Sequence, residues 1–516
     1  MISKRALNSS AVSPGSSRRP LVLLAALSAV CVWRVQAAGW TLWMGDAEAH
    51  LNIARRIFDS RLPGYEQIGT VWLPVPHVLM MALARIDSLW HNGLAGAIPA
   101  ALCFVLGGWW LCQAARRLFN SDAAAAAATA VYALNPNLLY LQSTPMTEPM
   151  ALCFFCGLIY ALACFHANPS RRAAVAAGFL LALGTLTRYE FWALIPFAAL
   201  VVLFNGGERR WSRAFLFGLV ASAGPLYWLA HNAVMYSNAL EFYNGPYSAK
   251  AIYARQRAAG MSAYPGEHNW TLAWLYYRTA VELALGQPLL WMGAAGAVLA
   301  LLKKARWAVL LAAFLAGFYV LSLYSSGTPI FVPKLWPNSY YNTRYALAAL
   351  PLLALGVAGL VSLGPGRTKG LLAIVAVIAA VAPWVGYPSR DTWVCWKESQ
   401  LNSVDRRAWT SEAAAYLKAH YRPGAGILTS FGDLTGVLRE AGIPIHESLH
   451  EGDLALWDGA VARPDLLLHE EWVLAHATDR AGGAVRKLRS GPRRYQCVRI
   501  YEMKGSPAVE IWRHIQ

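Results

Sequence analysis

Nine long apolar runs, at 21–38, 92–113, 123–141, 149–165, 214–231, 283–302, 306–324, 345–363 and 370–386, recur along a chain of 516 residues. Many approach the ~20 residues that a helix needs to cross a bilayer. Composition agrees: 57% of residues are hydrophobic and 14% charged, against about 25% charged in a soluble domain. A cleaved leader would be a single such run, so the first one, followed by eight more, is read as a retained span. The expectation is an α-helical polytopic membrane protein.

The net charge of +17 invites a nucleic-acid reading until the charges are located. Segments 1–20, 114–122, 166–172, 205–213, 303–306 and 364–369 hold 16 Lys/Arg against 2 Asp/Glu, a net of +14, which leaves +3 for the rest of the chain. These segments alternate onto one side of the membrane, so the balance is the positive-inside bias that orients such proteins. Nucleic acid is excluded as a partner. The bilayer is the implied surroundings, with the N-terminus cytoplasmic.

Two shorter runs, 173–187 and 191–204, bring the expected spans to about eleven. The first, with 15 residues, reaches about 22 Å, short of a hydrocarbon core. Thr187-Arg188-Tyr189-Glu190 turns between them, and charges at that depth are functional candidates. The domain reading is a basic tail at 1–20, a transmembrane domain at 21–387 with outward loops 39–77, 232–278 and 325–344, and an extracytoplasmic module at 388–516. Within loop 39–77 the stretch 46–59 is amphipathic. Ala47, Leu51, Ala54 and Phe58 share one helical face and Glu48, Asn52, Arg55 and Asp59 another, as in a helix lying in the interface plane.

From about 400 the sequence turns polar, and after 389 basic and acidic residues nearly cancel, 17 against 16. Helices are expected at 410–420 and near 433–441, and strands at 426–431, 443–447, 465–469 and 495–502, giving a small α/β domain. Six cysteines fall in apolar runs and read as small buried hydrophobes. Cys395 and Cys497 fall in the outward region, where a disulfide is permitted, and sequence leaves their pairing open.

Under this topology Asp46, Glu48, His50, Arg55, Arg56, Glu148, Arg188, Glu190, Lys334 and Arg344 converge on the outer face. Acids and bases gathered in one membrane-level cavity are what an active site needs. Asp46 follows Gly45 at a helix start, where capping alone would explain it, but an ionised carboxylate there also suits a general base. Glu148 sits in Ser143-Thr144-Pro145-Met146-Thr147-Glu148-Pro149, ordinary helix-start chemistry or a second acid on the same face. Arg188 and Arg344 are either snorkelling cations or phosphate ligands. No cluster has zinc-like spacing, since His50 and Asp46 at i, i+4 have no third ligand nearby. No cofactor is assigned, and a divalent metal is without support. The absence of a phosphate-cradling Gly-rich loop disfavours a nucleotide-sugar donor.

These motifs carry a family likeness. Gly45-Asp46-Ala47-Glu48, Thr144-Pro145-Met146-Thr147-Glu148, Leu186-Thr187-Arg188-Tyr189-Glu190 and Asn342-Thr343-Arg344-Tyr345, with the topology over about 20–390, resemble the GT-C superfamily of membrane glycosyltransferases. The likeness is to the branch holding protein O-mannosyltransferases and lipid A aminoarabinose transferases. The resemblance implies a polyprenyl-phosphate-linked sugar donor, inversion, and transfer to an extracytoplasmic acceptor that the sequence does not identify. By carry-over Asp46 is the general base and Glu148 the second acid. Glu48, His50, Arg55, Arg188, Tyr189, Glu190, Lys334, Tyr341, Arg344 and Tyr345 are the expected substrate-binding residues. The O-mannosyltransferase pattern has adjacent acids, whereas Ala47 separates Asp46 from Glu48 here. Two rival classes remain open, a lipid or solute transporter or flippase, whose pathway such charges also mark, and a non-catalytic membrane scaffold.

Overall fold

The computed structural model describes residues 14–302, 305–386, 389–488, 494–503 and 506–515. Lys4 and Arg5 of the basic tail, Lys303 and Lys304 of one short basic loop, and the domain boundary expected at 387/388 lie outside them.

Among the described residues seven helices are long and apolar enough to cross a membrane: Arg18–Ala37, Leu94–Phe119, Glu148–Ala167, Gly207–Tyr236, Arg306–Tyr324, Thr343–Val361 and Thr368–Gly386. A bent pair, Trp270–Leu285 and Gln287–Leu301, turns by 111° and makes an eighth if counted as one span. The run at 123–141 is two helices, Asp122–Ala133 and Pro136–Leu141. Pro136 cannot continue the helix before it, and Asn135 caps the next by accepting from Leu138 N at 3.0 Å. The short runs are the helices Arg171–Thr185 and Glu190–Asn205.

Small residues bring these helices together. Along the contact between Gln287–Leu301 and Leu350–Val361, a Cβ on Gly356 would fall on the carbonyl oxygen of Gly293, and one on Gly296 on that of Gly356. Backbones that approach so closely gain dispersion contacts that larger side chains would prevent, the usual means of helix association in lipid.

The C-terminal domain opens with a long helix, Val394–His420. It starts well before the expected 410, since no Gly or Pro interrupts 394–421 and its first turns bury Cys395, Trp396, Glu398 and Ser399 against the bundle. The sheet comprises β1 (Ile427–Thr429), β2 (Ser448–Leu449), β3 (Trp472–His476), β4 (Arg494–Met503) and β5 (Ser506–Ile515), in the order β2-β1-β3-β5-β4. β1 runs parallel to β2 and β3, while β5 is antiparallel to β3 and β4. Ile427, Trp472, Leu474 and Ile511 pack toward Trp409 and Leu417, and Leu428, Val473, Ala475 and Trp512 toward Trp457 and Val485 on the other face.

Two expected strands are different elements. Residues 445–447 form a 3-10 turn leading into β2, and 465–469 is mostly the short helix Pro464–Leu467, with Pro464 at its first position. β3 was missed because Trp472–Ala475 is buried on both faces and shows no alternation. β5 was also missed. No disulfide joins Cys395 and Cys497. Cys395 is buried beside Thr343, and Cys497 lies in β4 opposite Trp512.

Candidate active site

The loop-one helix Gly45–Arg56 begins at Met44, which makes no side-chain cap. Asp46 therefore stands in the first turn, and its carboxylate accepts from Arg344 Nη2. The helix does not lie with one polar face in solvent. Glu48, Asn52 and Arg55 are buried along with Ala47, Leu51 and Ala54, Glu48 under the C-terminal domain and Asn52 and Arg55 against Trp90 in the segment that follows loop one. Glu48 takes guanidinium hydrogen bonds from Arg406 and from Arg439, the latter at 3.0 Å.

Arg344 follows Asn342, whose φ of 56° turns the chain into the 3-10 segment Thr343–Ala349. Its fork is fully used. Nη2 reaches Asp46, Nε donates to Glu148 Oε1 at 3.1 Å, and Nη1 lies 3.3 Å from Glu398 Oε1. Glu398 comes from the C-terminal domain and also accepts from Asn342 N at 2.9 Å, Thr343 N at 2.8 Å and Thr343 Oγ1 at 2.6 Å.

Arg188, in the turn between the two short helices, completes the cluster. It donates to Glu190 at 2.7 Å, to Glu148 Oε1 at 3.0 Å, to Thr147 Oγ1 at 3.2 Å and to the Tyr319 hydroxyl at 2.7 Å. Tyr319 donates onward to Glu190 at 2.6 Å. The Tyr345 ring stands beside both cations, 4.7 Å from Arg188 Cζ and 4.8 Å from Arg344 Cζ, within cation–π range. Two guanidiniums, which flank Glu148 Oε1 between them, are thus held by four carboxylates. The other Glu148 oxygen is buried with no hydrogen-bond partner among the described residues.

The cluster forms one wall of a cavity of about 710 Å³. Val71, Trp72, Leu73, Phe318 and Leu321 give it apolar sides, and Lys250 and His268 stand on the segment opposite. His50 lines it too, 3.0 Å from His77 through Nδ1 and tilted at 36° against Trp72, ring centroids 4.3 Å apart. Burial, reinforced by the charges of Arg344 and Arg188, presses the His50 imidazole down to about 3. Tyr189 anchors the wall: its hydroxyl donates to Val71 O at 2.7 Å and accepts from Trp228 at 3.1 Å.

Asp46, His50, Glu148, Arg188, Tyr189, Glu190, Arg344 and Tyr345 therefore meet in one cavity. Five residues expected there lie elsewhere, among them Arg56, whose Nε donates to Gln67 O at 2.5 Å and whose guanidinium lies over the Phe431 ring. Glu48 faces the C-terminal domain. Arg55 is tied to Asp59 at 2.6 Å and Asp87 at 2.7 Å and lies over Trp90, bracing loop one. Lys334 is exposed and paired with Glu282 at 3.2 Å. Tyr341 is paired through its backbone with Phe331 and does not line the cavity. Sequence reasoning missed Glu398, Tyr319 and Lys250. Tyr319 read as one more interfacial aromatic, and the other two stand in no motif. Among the described residues no three His, Cys, Asp or Glu side chains are grouped to hold a metal ion.

Residues 74–230 match the model of a family described as dolichyl-phosphate-mannose-protein mannosyltransferase. Among solved structures the chain is similar to ArnT from Cupriavidus metallidurans bound to undecaprenyl phosphate. That match has 14% identity and a TM-score of 0.56, covering 97% of this chain and 98% of that one. It is also similar to the same protein in the apo state, at 15% identity and a TM-score of 0.52, covering 94% and 97%. No curated protein sequence matches the chain.

Proposed function

With a GT-C glycosyltransferase fold on the ArnT and protein mannosyltransferase branch as premise, we propose that this protein is an inverting transferase. It moves a sugar from a polyprenyl-phosphate donor to an extracytoplasmic acceptor. The cavity opens on the face of the bundle that carries the C-terminal domain. Arg116, Arg117, Arg171, Arg172, Arg209, Arg210 and Arg213 lie at the opposite helix ends. On this reading the positive-inside rule has the cavity outside, and the proposed location is a bacterial plasma membrane.

One observation carries the assignment of roles. Of the four carboxylates around the two arginines, the Asp46 side chain is 43% exposed, while Glu148, Glu190 and Glu398 are 6%, 7% and 3% exposed. A base must be reachable by the acceptor, and only Asp46 is. The other three hold the arginines in place.

The reaction is a single displacement. The acceptor hydroxyl gives its proton to Asp46 as its oxygen bonds to the anomeric carbon. The bond from that carbon to the phosphate oxygen breaks, and polyprenyl phosphate leaves with the electron pair. Arg344 neutralises the phosphate, with Arg188 behind it through Tyr345 and Glu148. Because Arg344 binds Asp46, an arriving phosphate competes for the same guanidinium and frees the base as it docks. Lys250, which lies 4.9 Å over the Tyr243 ring at the rim, supplies a further positive charge. The apolar sides accommodate the prenyl chain.

The test is transfer from a panel of radiolabelled polyprenyl-phosphate sugars to membrane acceptors, using wild type and Asp46→Asn in liposomes. Transfer that collapses in the variant supports the reading. Movement of lipid across the bilayer with no donor consumed would replace it with the flippase.

A further inference from the structure

Successive residues on an α-helix are rotated by about 100°, so Asp46 and Glu48 leave the loop-one helix on opposite sides. Asp46 faces the cavity described above. Glu48 faces a second one, of about 230 Å³, between the end of the span Arg18–Ala37 and the helix Val394–His420. Arg406, Arg407 and Arg439 line it, against Glu48 and Glu440. Glu48 holds Arg406 and Arg439, and Glu440 lies 3.4 Å from Arg439.

Arg407 is different. Its Nε donates to Ser403 at 3.0 Å and its Cζ lies over Trp43, 4.2 Å from the ring centroid. Among the described residues it has no carboxylate within ion-pair distance. Burial and the adjacent Arg406 both work against its charge, so an anion placed there would relieve a repulsion as well as form a bond.

The surroundings locate this cavity at headgroup depth. Trp43 packs on Trp40 and Trp396 at 5.8 and 5.9 Å, and Arg390 lies over Trp40 and Trp396 at 5.1 and 5.5 Å. Tryptophans gathered with arginines at the end of a span mark the membrane–water interface. Here the arginines stand on the side of the membrane where the chain otherwise carries little excess positive charge.

We propose that this second cavity binds the phosphate of a lipid headgroup, with Arg407 as its main ligand and Arg406 beside it. A planar guanidinium meets two phosphate oxygens at once. The bound phosphate draws on the arginines that hold Glu48, and so reaches the helix that carries Asp46. The proposal stands apart from the transferase reading and survives its failure.

The experiment counts lipids retained by the purified full-length protein in native mass spectrometry. The protein is taken from vesicles of phosphatidylcholine with or without phosphatidylglycerol. The wild type should retain phosphatidylglycerol, and Arg407→Gln should bind it about tenfold more weakly. Arg257→Gln, at an exposed arginine elsewhere on the same side, should bind it as the wild type does. If the two variants lose lipid equally, the effect is net charge and the proposal falls. Inorganic phosphate is the second arm. Competition by millimolar phosphate that Arg407→Gln abolishes would keep the phosphate chemistry but overturn the lipid source. Should Arg407→Gln fail to fold, Arg407→Lys keeps the charge and loses the fork. Its retention should fall partway, and retention equal to wild type would overturn the role given to Arg407.

Discussion

Glu398 takes two hydrogen bonds from Thr343, one from its backbone N–H at 2.8 Å and one from its hydroxyl at 2.6 Å. The same carboxylate holds Arg344, so the C-terminal domain reaches into the cation cluster and fixes the turn that presents it. Truncation to Glu398→Ala leaves Arg344 and two buried N–H groups short of partners. It should cost on the order of 3 kcal/mol, read as a lower midpoint of unfolding in detergent. Glu398→Gln, whose amide oxygen still accepts from Thr343, should lose distinctly less.

Asp46→Asn keeps the shape of the side chain and removes the proton acceptor. Turnover should fall by roughly 10²- to 10⁴-fold, measured as label transferred under saturating donor. Binding of undecaprenyl phosphate should be retained, because a neutral amide competes for Arg344 more weakly than a carboxylate does. A fall in lipid binding equal to the fall in rate would count against the base assignment.

Arg188 serves four acceptors from one planar fork, which an ammonium on a flexible stem does not reproduce. Arg188→Lys should lower kcat at least tenfold, the size expected for one charge-assisted hydrogen bond lost in a buried network. Steady-state kinetics with the preferred donor would show it.

His50 and His77 give stability a pH dependence of defined sign. Burial first, and then the neighbouring cations, hold His50 at about 3, and burial holds His77 well below the usual histidine range. In the unfolded chain both take up protons below about 6.5. The folded state therefore loses stability as pH falls from about 6.5 toward 3, and His50→Gln should flatten that limb of a thermal-unfolding profile. Glu451 works in the other direction. Burial raises it to about 7, so its contribution is complete below about 4.5 and lost as pH rises through about 7. Glu451→Gln should remove that loss.

Gly356→Ala sets a methyl group against the Gly293 carbonyl in the bundle interior. Overpacking of this kind should cost about 2 kcal/mol. A thermal midpoint equal to wild type would mean that the two helices separate more easily than their contact implies.

The apolar runs were legible because a bilayer demands long uncharged helices, and they fall on the helices observed. The cation cluster was partly legible. Arg188, Glu190, Glu148 and Arg344 are charges that a membrane segment tolerates only in company, so their meeting followed from depth alone. Glu48 and Arg55 were misplaced for a different reason. Amphipathic spacing identifies two faces of a helix, but it does not say that a domain some 350 residues later covers Glu48 or that Asp87 and Trp90 fold back onto Arg55. Glu398 was invisible on the same ground, since in the sequence it is one acid among 16 in a polar region. β3 was lost because a strand buried on both faces carries no period of two, and in β5 the same holds of its central residues, Val509–Trp512.

The ring formed by Asp46, Glu148, Arg344 and Glu398 draws its members from both ends of the chain. During synthesis Asp46 is in place almost from the start, yet the cation it faces arrives 298 residues later, and the carboxylate steadying that cation follows only after the last span. A nascent chain that has already threaded most of its helices through the bilayer therefore still lacks the assembled cluster. Its last carboxylate arrives only once the C-terminal domain has folded back onto the bundle, so on the proposed reading a product cut short before Glu398 should be inert rather than partially active.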